Sequence, residues 1–219
     1  MQVLKVPSLR LKEKIDLSQK LNDKYAGKER DNFLMGFIGH NKTGKTTVEK
    51  QIAINWKEGR DGNFKIVAFD PKNQLREIAD EFILLSDSDD EIKNKIDNSK
   101  NSLLILDDIR ILHEEDKSRV WLLYLMQQRN DLNIDIIYSV HNPALVLNLL
   151  AQFTTHFYIF HTKVQAGGWK RKIPAYVECT AASNYVNDFV KKYGRGDYPN
   201  FRYMTVDTEN EEMNGVNMH

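Results

Sequence analysis

"FLMGFIGHNKTGKTT", residues 33–47, runs an apolar stretch into Gly39-His40-Asn41-Lys42-Thr43-Gly44-Lys45-Thr46 and then into a helical pattern. The eight residues fit G-x-x-x-x-G-K-[ST] in full. Glycines at both ends let the backbone wrap, successive N–H groups turn inward, and the following helix presents its positive end to an anion. The expected nucleotide loop is Gly39, His40, Asn41, Lys42, Thr43, Gly44, Lys45, Thr46 and Thr47. Lys45 is expected to reach the β- and γ-phosphates and Thr46 to offer its hydroxyl to Mg²⁺, with His40 to Thr43 shaping the loop. The bland alternative is a glycine turn between strand and helix with no ligand.

Outward from this loop, apolar runs alternate with helical patterns. Strand candidates are "FLMGFI" (33–38), "KIVAFD" (65–70), "SLLILDD" (102–108), "IDIIYSV" (134–140) and "HFYIFH" (156–161). "TTVEKQIAINWKEG" and "SRVWLLYLMQQRNDL" carry apolar residues at helical spacing. The alternation predicts an α/β fold, a mostly parallel sheet with helices on both faces. Further on, the pattern predicts a hairpin around "QAGGWKRK", a helix "ASNYVNDFVKKYG" ending at Gly194, and a last strand "FRYMTVD". Three segments follow: an N-terminal arm or helical prefix (1–31), a nucleotide-binding domain (32–206) and a flexible polar tail (207–219).

A phosphate loop needs a second acid to hold magnesium, normally at the end of another buried strand. "LLILDDIR" supplies a pair. Asp107 ends an apolar run and is expected at the sheet's C-terminal edge, where open α/β sheets bind ligands. It is the candidate magnesium carboxylate, and Asp108 the candidate for positioning or activating the attacking water. The pair also suits a loop start or helix cap. "NKID", Asn94 to Asp97, looks like a guanine-reading motif, but it precedes the acid strand and Arg110 stands where a GTPase has glycine. It reads as a solvated charged face.

Composition narrows the class. The 219 residues are enough for one domain with a real core, so a larger machine would need several copies. Hydrophobic residues make up 41% and charged residues 28%, and no apolar run reaches the roughly 18 residues of a membrane span. With no signal core in the first twenty residues, the expectation is a soluble, cytoplasmic protein. Lysine plus arginine (31) balance aspartate plus glutamate (31), so nucleic-acid contact would need a local patch or a ring of subunits. The single cysteine, Cys179, reads as a small buried hydrophobe. His156 and His161 lie five apart on a strand, hence on opposite faces, and cannot chelate together.

Three segments carry a family resemblance over residues 33–161. "IVAFDPKNQL" resembles the strand plus "DPKGE"-like element of FtsK–HerA ATPases. "LLILDDI" looks like the acid motif of the genome-packaging ATPases of DNA viruses, a branch of that superfamily. "QQRNDLNIDIIYSVHNPALV" is similar to that branch's arginine-bearing helix end followed by a strand, a polar sensor and a proline. An extra strand between the phosphate loop and the acids also matches the RecA-like, additional-strand P-loop ATPases.

The resemblance implies a homo-oligomeric ring, a pentamer or hexamer, that uses ATP and Mg²⁺ to move double-stranded DNA. It further implies a site in the host cytoplasm, with docking to a capsid vertex or portal. On it, Lys45 and Thr46 match the phosphate loop, Asp107 the magnesium acid, Asp108 the catalytic acid, His141 the sensor and Arg129 a finger for the neighbour's nucleotide. A histidine at a strand end also serves as a loop hydrogen-bonder, and Arg129 also suits a helix C-terminal cation. Three departures stand out: Asp108 where glutamate is more usual, His141 where an amide is usual, and no arginine in "PALVLNLLAQFTTHF" after the sensor proline.

Basic residues interleaved with aromatics suit phosphate contact and base stacking. Lys170, Arg171 and Lys172 flank Trp169, with Lys163 nearby, and Lys117 and Arg119 follow the acid motif. "VKKYGRGDYPNFRY" is a second such stretch. The same stretches also suit a solvated hairpin tip and helix end. Three other readings stay open: a cellular or plasmid HerA-like translocase, a small-molecule P-loop kinase, and a nucleotide-gated binding module with negligible hydrolysis.

Overall fold

The computed structural model describes residues 32–60, 64–109, 118–162, 169, 173–197 and 200–218; of Ser118 and Arg119 only the backbone is described. The chain divides into two compact units. One gathers 35–45 with 141 onward, and the other 46–140 with the residues just before 35.

In the second unit four strands pair in parallel in the order β3-β2-β4-β5. They are β2 (Lys65–Phe69), β3 (Glu81–Ile83), β4 (Ser102–Leu106) and β5 (Ile134–Val140). β4 and β5 are buried at every position, as expected of parallel strands covered on both faces. Among the described residues this stretch of chain holds three helices: α1 (Lys45–Glu58), α2 (Asp89–Asp97) and α3 (Ser118–Gln128). α2 contains the "NKID" run. Its start is fixed by a capping box, with the Ser88 hydroxyl accepting from the Glu91 N–H and the Glu91 carboxylate accepting from the Ser88 N–H. Ile92 and Ile96, four apart, are buried while Asn94 and Asp97 are exposed, so the run is a charged helix face.

In the first unit the order is β1-β6-β7-β8. β1 (Leu34–Ile38) pairs in parallel with β6 (His156–Phe160), and β6, β7 (Tyr203–Asp207) and β8 (Glu212–Val216) pair antiparallel. A short α4 (Asn148–Ala151) precedes β6, and α5 (Tyr176–Tyr193) precedes β7. Phe37 stacks on Tyr158 at 4.4 Å, and Phe160 on Tyr203 at 4.8 Å.

The expected class, α/β with a mostly parallel sheet and helices on both faces, is the class observed. Three local expectations change. Residues 212–216, placed by their polarity in a flexible tail, form β8; its inward residues are few, and pairing with β7 supplies the order. α5 begins at Tyr176, a turn and a half before the expected start, and buries Cys179, Ala182, Ser183, Val186 and Val190 on one stripe. Burial pushes the Cys179 thiol far up, which keeps it a neutral packing group. Trp169, expected on an exposed basic hairpin, is 4% exposed. Its ring meets Phe157 edge-on at 5.2 Å and its Nε1–H donates to Ser183 Oγ at 2.6 Å.

The start of β5 carries a buried polar knot. Asp135 accepts from the Phe33 N–H (3.0 Å), Trp56 Nε1 (2.7 Å) and Arg60 Nη2 (3.1 Å), and the Arg60 guanidinium lies 4.2 Å over the Trp56 ring. Both charged side chains are almost wholly buried. Removing one partner strands a buried charge, which costs more than the pair itself is worth. Asp135→Ala is therefore expected to destabilise the protein by about 3 kcal/mol, lowering the thermal midpoint by roughly 6–12 °C in a domain of this size. A circular-dichroism melt with no shift would contradict that.

Candidate nucleotide site

β1 ends at Ile38 and α1 begins at Lys45, so the loop 39–44 hands the chain from a buried strand to a helix N-terminus. Its shape follows from close contacts. A Cβ on Gly39 would come within 2.5 Å of Phe160 Cβ, so only glycine lets the loop pass β6. The His40 N–H donates to His161 O at 2.9 Å and Thr43 Oγ1 donates to His40 O at 2.8 Å. Lys42 and Gly44 take positive φ, 61° and 94°, which reverses the backbone inside the loop.

Lys45 is 6% exposed. Its ammonium donates to Gly39 O (2.6 Å) and His40 O (3.2 Å), with His141 Nδ1 at 3.5 Å. The lysine charge is thus aimed into the loop's own concavity, with the ring that follows β5 beside it. Phe201 covers the loop from outside, and a Cβ on Gly44 would be driven into its ring. The segment carrying Phe201 is tied down. Arg202 Nη1 donates to the carbonyls of Tyr193 and Gly194, closing the C-terminus of α5, and Asn217 Nδ2 donates to Phe201 O at 2.8 Å.

In the second unit the acid pair follows β4. Asp107 and Asp108 are 4% and 1% exposed. Ser139, on β5, joins them: its hydroxyl donates to Asp107 Oδ1 at 2.7 Å and accepts from the Asp108 N–H at 3.0 Å. Asp108 has φ of 50°, a left-handed conformation unusual for a residue with a side chain. Its Oδ2 lies 2.7 Å from Lys72 Nζ. Lys72 belongs to the turn after β2, where Asp70 accepts from the N–H groups of Lys72 (3.1 Å) and Leu75 (2.6 Å). Thr46 Oγ1 donates to Gln74 Oε1 in the same turn at 3.2 Å.

Burial raises the Asp107 carboxyl above its usual range; the Ser139 hydrogen bond and Lys72 oppose this, while the charges of Asp70 and Asp108 add to it. The carboxylates of Asp70 and Asp108 thus add negative charge beside Asp107. Oxygen donors of this kind suit Mg²⁺, which needs only one or two protein oxygens beside its phosphates and waters. No cluster of three or more His, Cys, Asp or Glu suited to a metal occurs among the described residues.

Sequence reasoning named the loop, both acids and His141. It gave no role to Lys72, Gln74, Ser139 or Phe201. Ser139 had a weak signal, a hydroxyl in an otherwise apolar strand; Phe201 had none. Arg129 follows α3, where its Nη1 donates to Asn32 O at 3.3 Å and its carbonyl accepts from Asn32 Nδ2 at 2.9 Å. That is the strand-start side of β5, with Ser139 at the other end. Lys117, Lys163, Lys170, Arg171 and Lys172 lie outside the described residues, as does the side chain of Arg119. No described helix is long and apolar enough to cross a membrane.

The pressure of Phe201 on the loop is measurable. Gly44→Ala is expected to cost about 1–3 kcal/mol through backbone strain and overpacking, and Phe201→Ala should relieve part of that cost. Thermal melts of the single and double variants decide it: an identical penalty with and without the ring would mean that the ring does not press on the loop.

No protein-family model and no curated protein matches the chain. Solved structures do. The genome packaging NTPase B204 from Sulfolobus turreted icosahedral virus 2, in complex with ATPγS, superposes with a TM-score of 0.56 at 12% identity, covering 84% of this chain and 96% of that one. B204 of Sulfolobus turreted icosahedral virus, described as its DNA-packaging ATPase, gives 0.58 at 12% identity with the same coverage. ATPases 2 and 3 of Thermomonospora curvata EccC, in complex with a signal sequence peptide, give 0.57 at 10% identity, covering 86% of this chain and 37% of that one. At such identities the likeness speaks for the fold alone: a mostly parallel sheet flanked by helices, consistent with the RecA-like additional-strand P-loop NTPase fold.

Proposed function

We propose that the chain is an ATP-hydrolysing motor that moves double-stranded DNA, of the kind that packages a viral genome, working as a ring of five or six copies. The observation that carries the reading is the phosphate loop, a strand–loop–helix turn with the Lys45 ammonium directed into its concavity beside His141. Its architecture, shared with structures described as binding ATPγS and packaging DNA, supports it.

In this reading the N–H groups of the loop and Lys45 bind the β- and γ-phosphates. Thr46 and Asp107 would hold Mg²⁺, which when bound neutralises charge on the phosphate oxygens. Asp108 orients a water and accepts its proton as the new bond to the γ-phosphorus forms. The old bond to the β–γ bridging oxygen breaks, and ADP leaves with its electron pair. His141 reads the γ-phosphate from beside Lys45. Arg129 is the cation offered to a neighbour's nucleotide, and to serve there it must release the Asn32 carbonyl. Lys117, Arg119, Lys170, Arg171 and Lys172 are the DNA-facing candidates, and a capsid vertex or portal is the docking partner.

One observation favours a second reading, a nucleotide-gated module that turns over slowly: the carboxylate of Asp108 is already engaged by Lys72. Both readings are tested by measuring ATP hydrolysis with and without double-stranded DNA while monitoring oligomer size. A motor shows DNA-stimulated hydrolysis in a multi-subunit ring, and Lys45→Ala lowers the rate by about 100-fold or more. Tight ATP binding with no response to DNA would leave the gated module or a small-molecule kinase.

A further inference from the structure

We infer that Lys72 is a positioning residue for hydrolysis, holding the Asp108 carboxylate in the orientation from which it directs the attacking water. This rests on the reading of Asp108 as the catalytic acid.

Asp108 is held at three points. Its backbone sits at φ 50°, a conformation that costs energy in a residue with a side chain and persists only where surroundings enforce it. Its N–H is fixed by the Ser139 hydroxyl at 3.0 Å, and its Oδ2 by the Lys72 ammonium at 2.7 Å. Asp108 is 1% exposed, and with its backbone N–H and one carboxylate oxygen both engaged, the direction of its carboxylate is set by Ser139 and Lys72 together.

The lysine is built for the role. Asp70 gathers the N–H groups of Lys72 and Leu75 and its carbonyl accepts from the Asn73 N–H at 3.2 Å, so the turn that carries Lys72 is rigid. Leu75 is fully buried and pins the far side of that turn. From there the Lys72 side chain, 39% exposed, reaches inward from the surface to a carboxylate that is 1% exposed. Its four-carbon stem lets a compact point charge reach the carboxylate from the surface turn.

The test compares wild type, Lys72→Met, Lys72→Arg, Asp108→Asn and the double variant Lys72→Met/Asp108→Asn in the full chain. Three quantities are read: ATP turnover, ATP affinity and the thermal midpoint. Positioning predicts that Lys72→Met lowers kcat by about 10- to 100-fold with ATP affinity within about twofold of wild type, because the loss falls on the transition state. Lys72→Arg recovers part of the rate. In the Asp108→Asn background, Lys72→Met changes neither rate nor midpoint further, since the two groups act as one unit. Unchanged or raised kcat in Lys72→Met overturns the proposal, as does a lowered midpoint with normal turnover by the folded protein, which would make the pair purely structural. If Asp108→Asn abolishes turnover while Lys72→Met keeps it, the role of Lys72 alone falls. If wild type does not hydrolyse ATP, or Asp108→Asn is fully active, the reading of Asp108 falls and the inference with it.

Discussion

Parallel strands buried on both faces leave polar chemistry one place to go, the strand ends. β4 is "SLLIL" and β5 "IDIIYSV", and every position of both is buried. At the finish of β4 come Asp107 and Asp108, and near the finish of β5 comes Ser139, whose hydroxyl ties the two acids to the neighbouring strand. At the start of β5 comes Asp135, which gathers a backbone N–H, an indole and a guanidinium. One end of the strand holds the fold, and the other carries the candidate acids. The same rule places the glycine loop where β1 stops.

Negative charge gathers around Asp107 at the acid end. Burial disfavours ionised carboxylates, and Asp70 and Asp108 make Asp107 harder still to ionise, with one lysine and one hydroxyl opposing them. The knot around Asp135 differs: its two charges are paired with each other, and the carboxylate accepts from a backbone N–H and an indole as well.

Most of this was legible in the chain because the signals are local. A continuous apolar run, two glycines five apart and a Lys-Thr pair define β1, the loop and the start of α1; "LLILDD" defines the acid strand. What escaped depended on partners distant in sequence. β8 has too few apolar residues to announce itself and exists because β7 offers an edge. Trp169 reads as exposed among lysines, yet Phe157 and Ser183 draw it inward. The engagement of Asp108 by Lys72 spans 36 residues, and nothing in the turn "DPKNQ" says where its lysine points. The expected role of Arg129 came from its neighbours in sequence, whereas its observed bond is to Asn32, 97 residues away.

The contact between Phe201 and Gly44 links two segments separated by most of the chain. A glycine in a phosphate loop is ordinarily explained by the ligand; here it is also required by the protein, because the space a side chain would use is filled by a ring anchored through Asn217 and the end of α5. Among descendants of this chain the two sites are therefore not free to drift apart. A larger residue at 44 becomes tolerable only in a lineage that has first shrunk the one at 201, so the order of substitutions, and not merely their identity, is constrained.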